Sequence, residues 1–455
     1  MKHGTLFIPA YLLIGFIILL ILPSLCFARN MTFIKAYTYM ASNIDSKISS
    51  RAIALEQVKR ALLEQLGSYL ISDAEVKNFQ ITKEQIATLT AGIVSVEVID
   101  EKWDGRTYYL IAKITADPTK VAKSLDALRN DKQRGKEVEE SKKRAEEAMK
   151  EVEHLKAEVE FSKASTKQQS DYNTAIKELS AADLYDKGNA LYDAGNFQGV
   201  IEAYSKAIEL KPQAAFAYGN RGVAYTKLGK TQLAIEDFNK AIELNPQDAE
   251  VYHNRGLAYD VSGNVEQAIK DYSKAIELNP QDAKVYNIRG LAYAKSGDTE
   301  QAIKDYSKAI DLNPQDAKVY HNRGLAYAVS GDTQQAIDDF NKVIELKPQY
   351  AKVYYSRGSA YHDLGNTQQA IKDYSKAIEL NPQDAEAYHY RGIAYSLSGN
   401  IQQAIEDYSK AIELNPQYAL AYFDRGDAYA ESGYLQQAIS DYTKAIELNP
   451  QLGHL

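Results

Sequence analysis

The sequence holds a single cysteine, Cys26, in 455 residues. One thiol excludes a disulfide framework and any multi-cysteine metal site. Cys26 also sits in an N-terminal apolar run, so removal of that run leaves no thiolate nucleophile. The chain lacks an excess of positive charge. Its 53 Lys and Arg against 61 Asp and Glu give −8, which argues against general nucleic-acid binding through a basic face. No G-x-x-x-x-G-K-S/T loop and no H-E-x-x-H is present, so the common phosphate-binding and zinc-protease signatures are missing. The seven histidines do not cluster in sequence. No cofactor, metal or catalytic set is expected, and the chain reads as a non-enzyme.

Charge is also missing from residues 6–25, which follow Lys2 and His3 and precede Cys26-Phe27-Ala28. A short basic start, an apolar run and small residues at a cleavage site make an export signal over residues 1–28. The run is long enough to span a bilayer. Cleavage after Ala28 and retention as an anchor therefore both stay open, and each places the rest of the chain outside the cytoplasm, in a periplasm or envelope. Leu25 departs from the small residue that a lipoprotein site wants before its cysteine.

Residues 29–118 read as a small α+β domain. A strand is expected over 31–41 and a helix over 46–66, with Ile44, Ile48, Ala52, Leu55, Leu62 and Leu66 on one face and Gly67 as its stop. A short helix is expected over 82–89, and a hairpin from strands 94–103 and 107–114 turning at Asp104-Gly105. Trp103 and Tyr109 are candidates for a surface on that hairpin, beside the plainer role of stabilising it. The Ala-rich helix ending in Gly, the Gly92-Ile93-Val94 entry and the Asp-Gly turn resemble the N-terminal domain of flagellar assembly protein T and related envelope lipoproteins. That resemblance implies an envelope accessory module.

Residues 119–179 are a charged connector. Val138, Ala145, Val152 and Val159 recur every seven residues, with Ser141, Ala148, Leu155 and Ser162 at the offset positions. This is a heptad with a weak second seam. A solvated spacer helix and an oligomerising coiled coil both fit it.

What the sequence has in abundance is tyrosine, 34 residues, much of it on a fixed spacing. Pro212, Pro246, Pro280, Pro314, Pro348, Pro382, Pro416 and Pro450 lie 34 residues apart. With each Pro at position 32 of its unit, Tyr recurs at positions 4 and 11, Gly at 8, Ala at 20, and Tyr or Phe at 24. Gly at 8 and Ala at 20 let two helices approach, and the tyrosines fill the space around them. Eight such units over residues 180–450, with a tail at 451–455, resemble the tetratricopeptide-repeat family. The resemblance implies a mainly α chain with a right-handed α-solenoid, preceded by the helical connector and the α+β domain. Stacked units bury a face that none buries alone. Position 7 is Arg in repeats two to eight (Arg221 to Arg425) and position 23 is Asp (Asp237 to Asp441), while the first repeat has Lys187 and Ala203. Arg and Asp absent together in one repeat are expected to pair in the others as a ladder.

By the same resemblance, the first helices line a concave groove, and the variable positions 2, 5 and 6 are candidate contacts. They give Tyr185, Asn220, His253, Asn254, Lys284, Asn287, Lys318, His321, Asn322, Lys352, Tyr355, His389 and Phe423. An aromatic and amide-rich groove with basic residues in its middle suits a protein or peptide partner; an envelope polysaccharide is the alternative. The carboxylate clamp of the family's cochaperones is excluded, since Asn189 and Asn220 match it but Tyr185, Glu250 and Asn254 do not.

Overall fold

The computed structural model describes residues 30–42, 45–72, 94, 96–117, 120–121, 123–124, 132–161 and 166–454. The export segment, Ile44 and the helix expected over 82–89 lie outside them. The chain divides into two compact units, residues 1–194 and 195–455.

The first unit begins with β1 (Met31–Met40), α1 (Lys47–Ser72), β2 (Glu97–Trp103) and β3 (Thr107–Ala116). The strands form one antiparallel sheet in the order β1-β3-β2, with Met31 opposite Ala116 and Trp103 opposite Tyr108. The turn forms at Gly105, whose φ of 97° only a residue without Cβ adopts freely. α1 runs through Gly67 instead of stopping there, because Leu62, Leu66 and Leu70 continue one buried stripe at four-residue spacing. Ile48, expected on that stripe, is exposed; Ile53 and Val58 are buried in its place. The register puts Tyr109 opposite Lys102 and not beside Trp103, whose ring packs 6.0 Å from Tyr108. Trp103 and Tyr109 therefore do not share a surface.

The connector forms α2 (Lys132–Phe161) and α3 (Thr166–Asp193), which pack on each other. The described seam residues Ala145, Ala148, Val152 and Leu155 are buried, and the last three join the core that also holds Leu62, Tyr108 and Leu110. These four seam positions are thus filled within the chain. α3 crosses residue 180 without a break, since nothing between Thr166 and Asp193 interrupts a helix. Its C-terminal half is the first helix of the first repeat.

That half carries ion-pair partners for α1. Lys59 of α1 is buried and pairs with Asp186 of α3, and its amine also lies 3.7 Å from Asp183. Burial opposes the charge, but Asp186, Asp183 and Glu56 outweigh it and hold the Lys59 amine above its ordinary range. A second cluster surrounds Asp45. Its carboxylate is fully shielded from solvent and accepts hydrogen bonds from Tyr172 and, at 2.8 and 2.7 Å, from the Tyr39 hydroxyl and Ser42 amide. Burial works against that charge; the hydrogen bonds prevail and hold the carboxyl below its ordinary range.

The second unit opens with α4 (Phe197–Leu210), the second helix of the first repeat. Seven helix pairs follow: α5 (Ala215–Lys227) and α6 (Thr231–Leu244), α7 (Ala249–Val261) and α8 (Val265–Leu278), α9 (Ala283–Ser296) and α10 (Thr299–Leu312), and α11 (Ala317–Ser330) and α12 (Thr333–Leu346). The last three are α13 (Ala351–Asp363) and α14 (Thr367–Leu380), α15 (Ala385–Leu397) and α16 (Ile401–Leu414), and α17 (Ala419–Glu431) and α18 (Leu435–Leu448). Each helix packs on the next, which is a solenoid.

One repeat shows why these residues give this pair. Asp282 caps α9 by accepting from the Lys284 amide, and Asp298 caps α10 by accepting from the Gln301 amide. Gly290 lies against the Tyr306 ring so closely that a Cβ there would sit 2.7 Å from it. Gly at position 8 is therefore the seat for the ring at position 24. Ala302 and Ala309 are fully buried on the facing side.

Candidate partner-binding face

The expected ladder is present in all seven repeats that carry it. Arg289 donates from Nε and Nη2 to the two carboxylate oxygens of Asp305, both at 2.7 Å, and from Nη1 to the Ser273 hydroxyl of the preceding repeat at 3.0 Å. The rings of Tyr286 and Tyr293 flank its guanidinium, with centroids 5.8 and 5.7 Å away. The pattern recurs from Arg221, to Asp237 and Ser205, through Arg425, to Asp441 and Ser409, except that Arg255 and Arg357 make the third bond to the side-chain oxygens of Asn239 and Asn341. The two halves of a rung are pushed in opposing senses: burial raises Asp237, while its hydrogen bond holds Arg221 up. The arginine direction governs, because a two-pronged pair at 2.7 Å leaves no position for a carboxyl proton. These arginines are structural and are not free to hold an acidic ligand.

The candidate residues fall into two groups. Positions 5 and 6 form a second row of contacts, each joining a repeat to the next at a separation of 35 residues. Asn322 donates to Asn287 at 3.1 Å, His321 meets Ser356 at 3.3 Å, and His389 meets Asp424 at 2.6 Å. The rings of Tyr355 and Tyr390 meet edge to face at 5.6 Å. His321 and His389 are only 5% and 2% exposed, so neither offers a ring to a partner. His321 packs against Phe340 and Tyr350. Desolvation, with Lys352 nearby, lowers its pKa to about 4. His389 also meets the Tyr418 hydroxyl, at 2.9 Å from Nδ1. His253 is half-buried against Tyr272, Phe423 against Tyr442, and Asn220 donates to the Tyr204 hydroxyl at 3.0 Å. Asn254 is half-buried. Tyr185 is buried in the first unit.

Position 2 behaves differently. Lys284, Lys318 and Lys352 are exposed, and among the described residues no carboxylate pairs with their amines. By contrast, Lys270, Lys274 and Lys304 on the second helices bind glutamates three or four residues away. The groove lysines lie on the position 5 side: Lys284 depresses His253, after the larger effects of burial and Asp282, and Lys352 depresses His321. Sequence reasoning grouped positions 2, 5 and 6 as one surface because all three vary. The 35-residue partnership was the missing signal, since it joins residues 321 and 356, or 389 and 424, across two repeats.

Among the described residues no cluster of three metal-ligating side chains exists, and no helix is long and apolar enough to cross a membrane.

Comparison with known proteins agrees with this geometry. Models described as Tetratricopeptide repeat and TPR repeat match residues 188–350 and 358–452, more than half of the chain. The chain belongs to the tetratricopeptide-repeat family, whose solenoids are typically protein-binding scaffolds. Within that family it carries a repeat array behind a three-stranded α+β module. No curated protein matches it. Similar solved structures include YrrB, titled a TPR protein with an unusual peptide-binding site, at 26% identity over 42% of this chain and 97% of that one, with a TM-score of 0.39. MamA from Desulfovibrio magneticus is 25% identical over 37% and 96%, with a TM-score of 0.36. The C-terminal part of a TPR repeat-containing protein from Cytophaga hutchinsonii is 24% identical over 52% and 97%, with a TM-score of 0.47.

Proposed function

We propose that this chain is an exported, non-enzymatic scaffold that holds an extended segment of a partner protein on the first-helix face of its solenoid, in the cell envelope. One observation carries the binding reading. The frame satisfies its own charges through the Arg–Asp rungs, yet Lys284, Lys318 and Lys352 stand exposed and unpaired in three consecutive repeats. Ordered charge left over on one face of a satisfied frame is what a partner recognises. Export rests on the uncharged run at residues 6–25 and the cleavage-site pattern after it. The envelope assembly role rests on the resemblance of the N-terminal module to flagellar assembly protein T.

In-cell photo-crosslinking tests this, with the label at Lys318, since His321 at the centre of the row is buried. A single dominant protein adduct in the envelope fraction is expected, absent when the label moves to Lys304 on the second-helix face. An adduct found only in the cytoplasmic fraction removes the envelope reading. No adduct from a folded, abundant protein removes the binding face.

A further inference from the structure

The charge at position 2 changes sign along the face. Repeat three presents Glu250, repeats four, five and six present Lys284, Lys318 and Lys352, and repeat seven presents Glu386. Like the lysines, Glu386 is exposed, and among the described residues no cation pairs with its carboxylate. Its surroundings also change. Around Glu386 the Tyr355, Tyr390 and Tyr418 side chains converge with Asp424, whose carboxylate is 27% exposed. Burial raises the Tyr355 and Tyr418 hydroxyls, and the neighbouring Tyr390 and Glu386 raise both further. Beneath them Tyr374 is fully buried, its ring 5.8 Å from Tyr355 and 6.2 Å from Tyr390. Aromatic faces, phenol oxygens, the unpaired Glu386 carboxylate and the Asp424 carboxylate held by His389 make a nook suited to an ammonium or guanidinium group.

We propose, building on the function above, that this face binds an extended peptide in one orientation. An acidic stretch lies against Lys284, Lys318 and Lys352, and a Lys or Arg side chain sits among Tyr355, Tyr390 and Tyr418 beside Glu386 and Asp424. The reversed peptide carries its basic residue to the Glu250 end, where Gly219, Asn254 and Asp282 stand in place of Tyr355, Tyr390 and Tyr418, and it loses the aromatic contacts. Packed helices stand roughly 10 Å apart, so three lysines span about 20 Å. An extended strand covers that with about six residues at ~3.3 Å each. The basic residue then falls about three residues beyond the acidic stretch.

The test is selection of random peptides of about 12 residues, displayed on phage, against the immobilised full chain, followed by fluorescence anisotropy of an enriched sequence. The expected winners carry clustered Asp or Glu and a Lys or Arg a few residues away, always in the same order. Glu386→Lys is expected to weaken the enriched peptide at least tenfold and to improve binding of a version with Glu in place of its basic residue. The triple variant Lys284→Glu, Lys318→Glu, Lys352→Glu is expected to lose at least tenfold. All four positions are exposed, so melting temperatures confirm that the variants fold. Winners without charge order, or affinity unchanged in Glu386→Lys, overturn the inference and leave the scaffold function standing. A selection that enriches no peptide overturns both.

Discussion

The two units use buried charge in opposite ways. The first unit has two clusters that occur once each, Lys59 with Asp183 and Asp186, and Asp45 with Tyr39 and Tyr172. Both join segments far apart in sequence, so each fixes how α1, α3 and the strands meet. The second unit repeats one Arg–Asp rung seven times between helices 16 residues apart. Burying an ion pair adds little net stability, but stranding one partner is costly. A unique cluster therefore concentrates vulnerability at one place, whereas a repeated rung distributes it.

The sharpest way to break that contrast is to strand one charge in each unit. Lys59→Ala leaves Asp186 buried without its cation and is expected to cost about 3–5 kcal/mol, unfolding α1 and its sheet together. Arg289→Ala is expected to cost a similar amount locally. Hydrogen exchange should then show loss of protection confined to α9, α10 and the helices touching them. Protection lost along the whole solenoid would mean that the rungs act collectively.

A smaller effect concerns pH. The His321 pKa is lowered to about 4 in the fold against 6.5 in the open chain. The unfolded chain takes up the proton first, so the stability that the neutral ring confers is present above pH 6.5 and lost as pH falls toward 4. The loss is about 2–3 kcal/mol at the rate of ~1.4 kcal/mol per pH unit. Urea titrations at pH 7 and 4.5 should show it, and His321→Asn should flatten the difference. An unchanged slope in that variant would place the acid sensitivity elsewhere.

The smallest expected change is Gly290→Ala. Its Cβ would enter the Tyr306 ring, an overpacking that costs about 1–3 kcal/mol. A thermal melt that does not move would show that the ring shifts at no expense.

How much of this was legible depended on repetition. The Arg–Asp rungs were readable because repeat one lacks Lys187's counterpart arginine and the aspartate together. The seat for the ring at position 24 was readable as a gap at Gly and Ala, though not which ring fills it. What repeats once was not legible. Lys59 looks like a solvated helix residue until Asp186 is brought to it from 127 residues away. Gly67 reads as a helix stop in isolation, yet Leu70 has a core to enter and carries the helix past it. The heptad at Ala145 to Leu155 states that a partner helix exists, and not that it is α3. At the candidate face, variability marked positions 2, 5 and 6 alike, although of the candidate residues the lysines at 2 are exposed and those at 5 and 6 are not. The burial of His321 and His389 follows from contacts 35 residues on, which no single repeat displays.

Each rung is also asymmetric. Two bonds run from Arg289 to Asp305 inside its own repeat, and one runs back to Ser273 in the repeat before. A repeat is therefore riveted to itself and only pinned to its predecessor. Strain applied along the array meets fewer rung bonds between repeats than within one, so the joints between repeats are expected to yield before any helix pair unwinds.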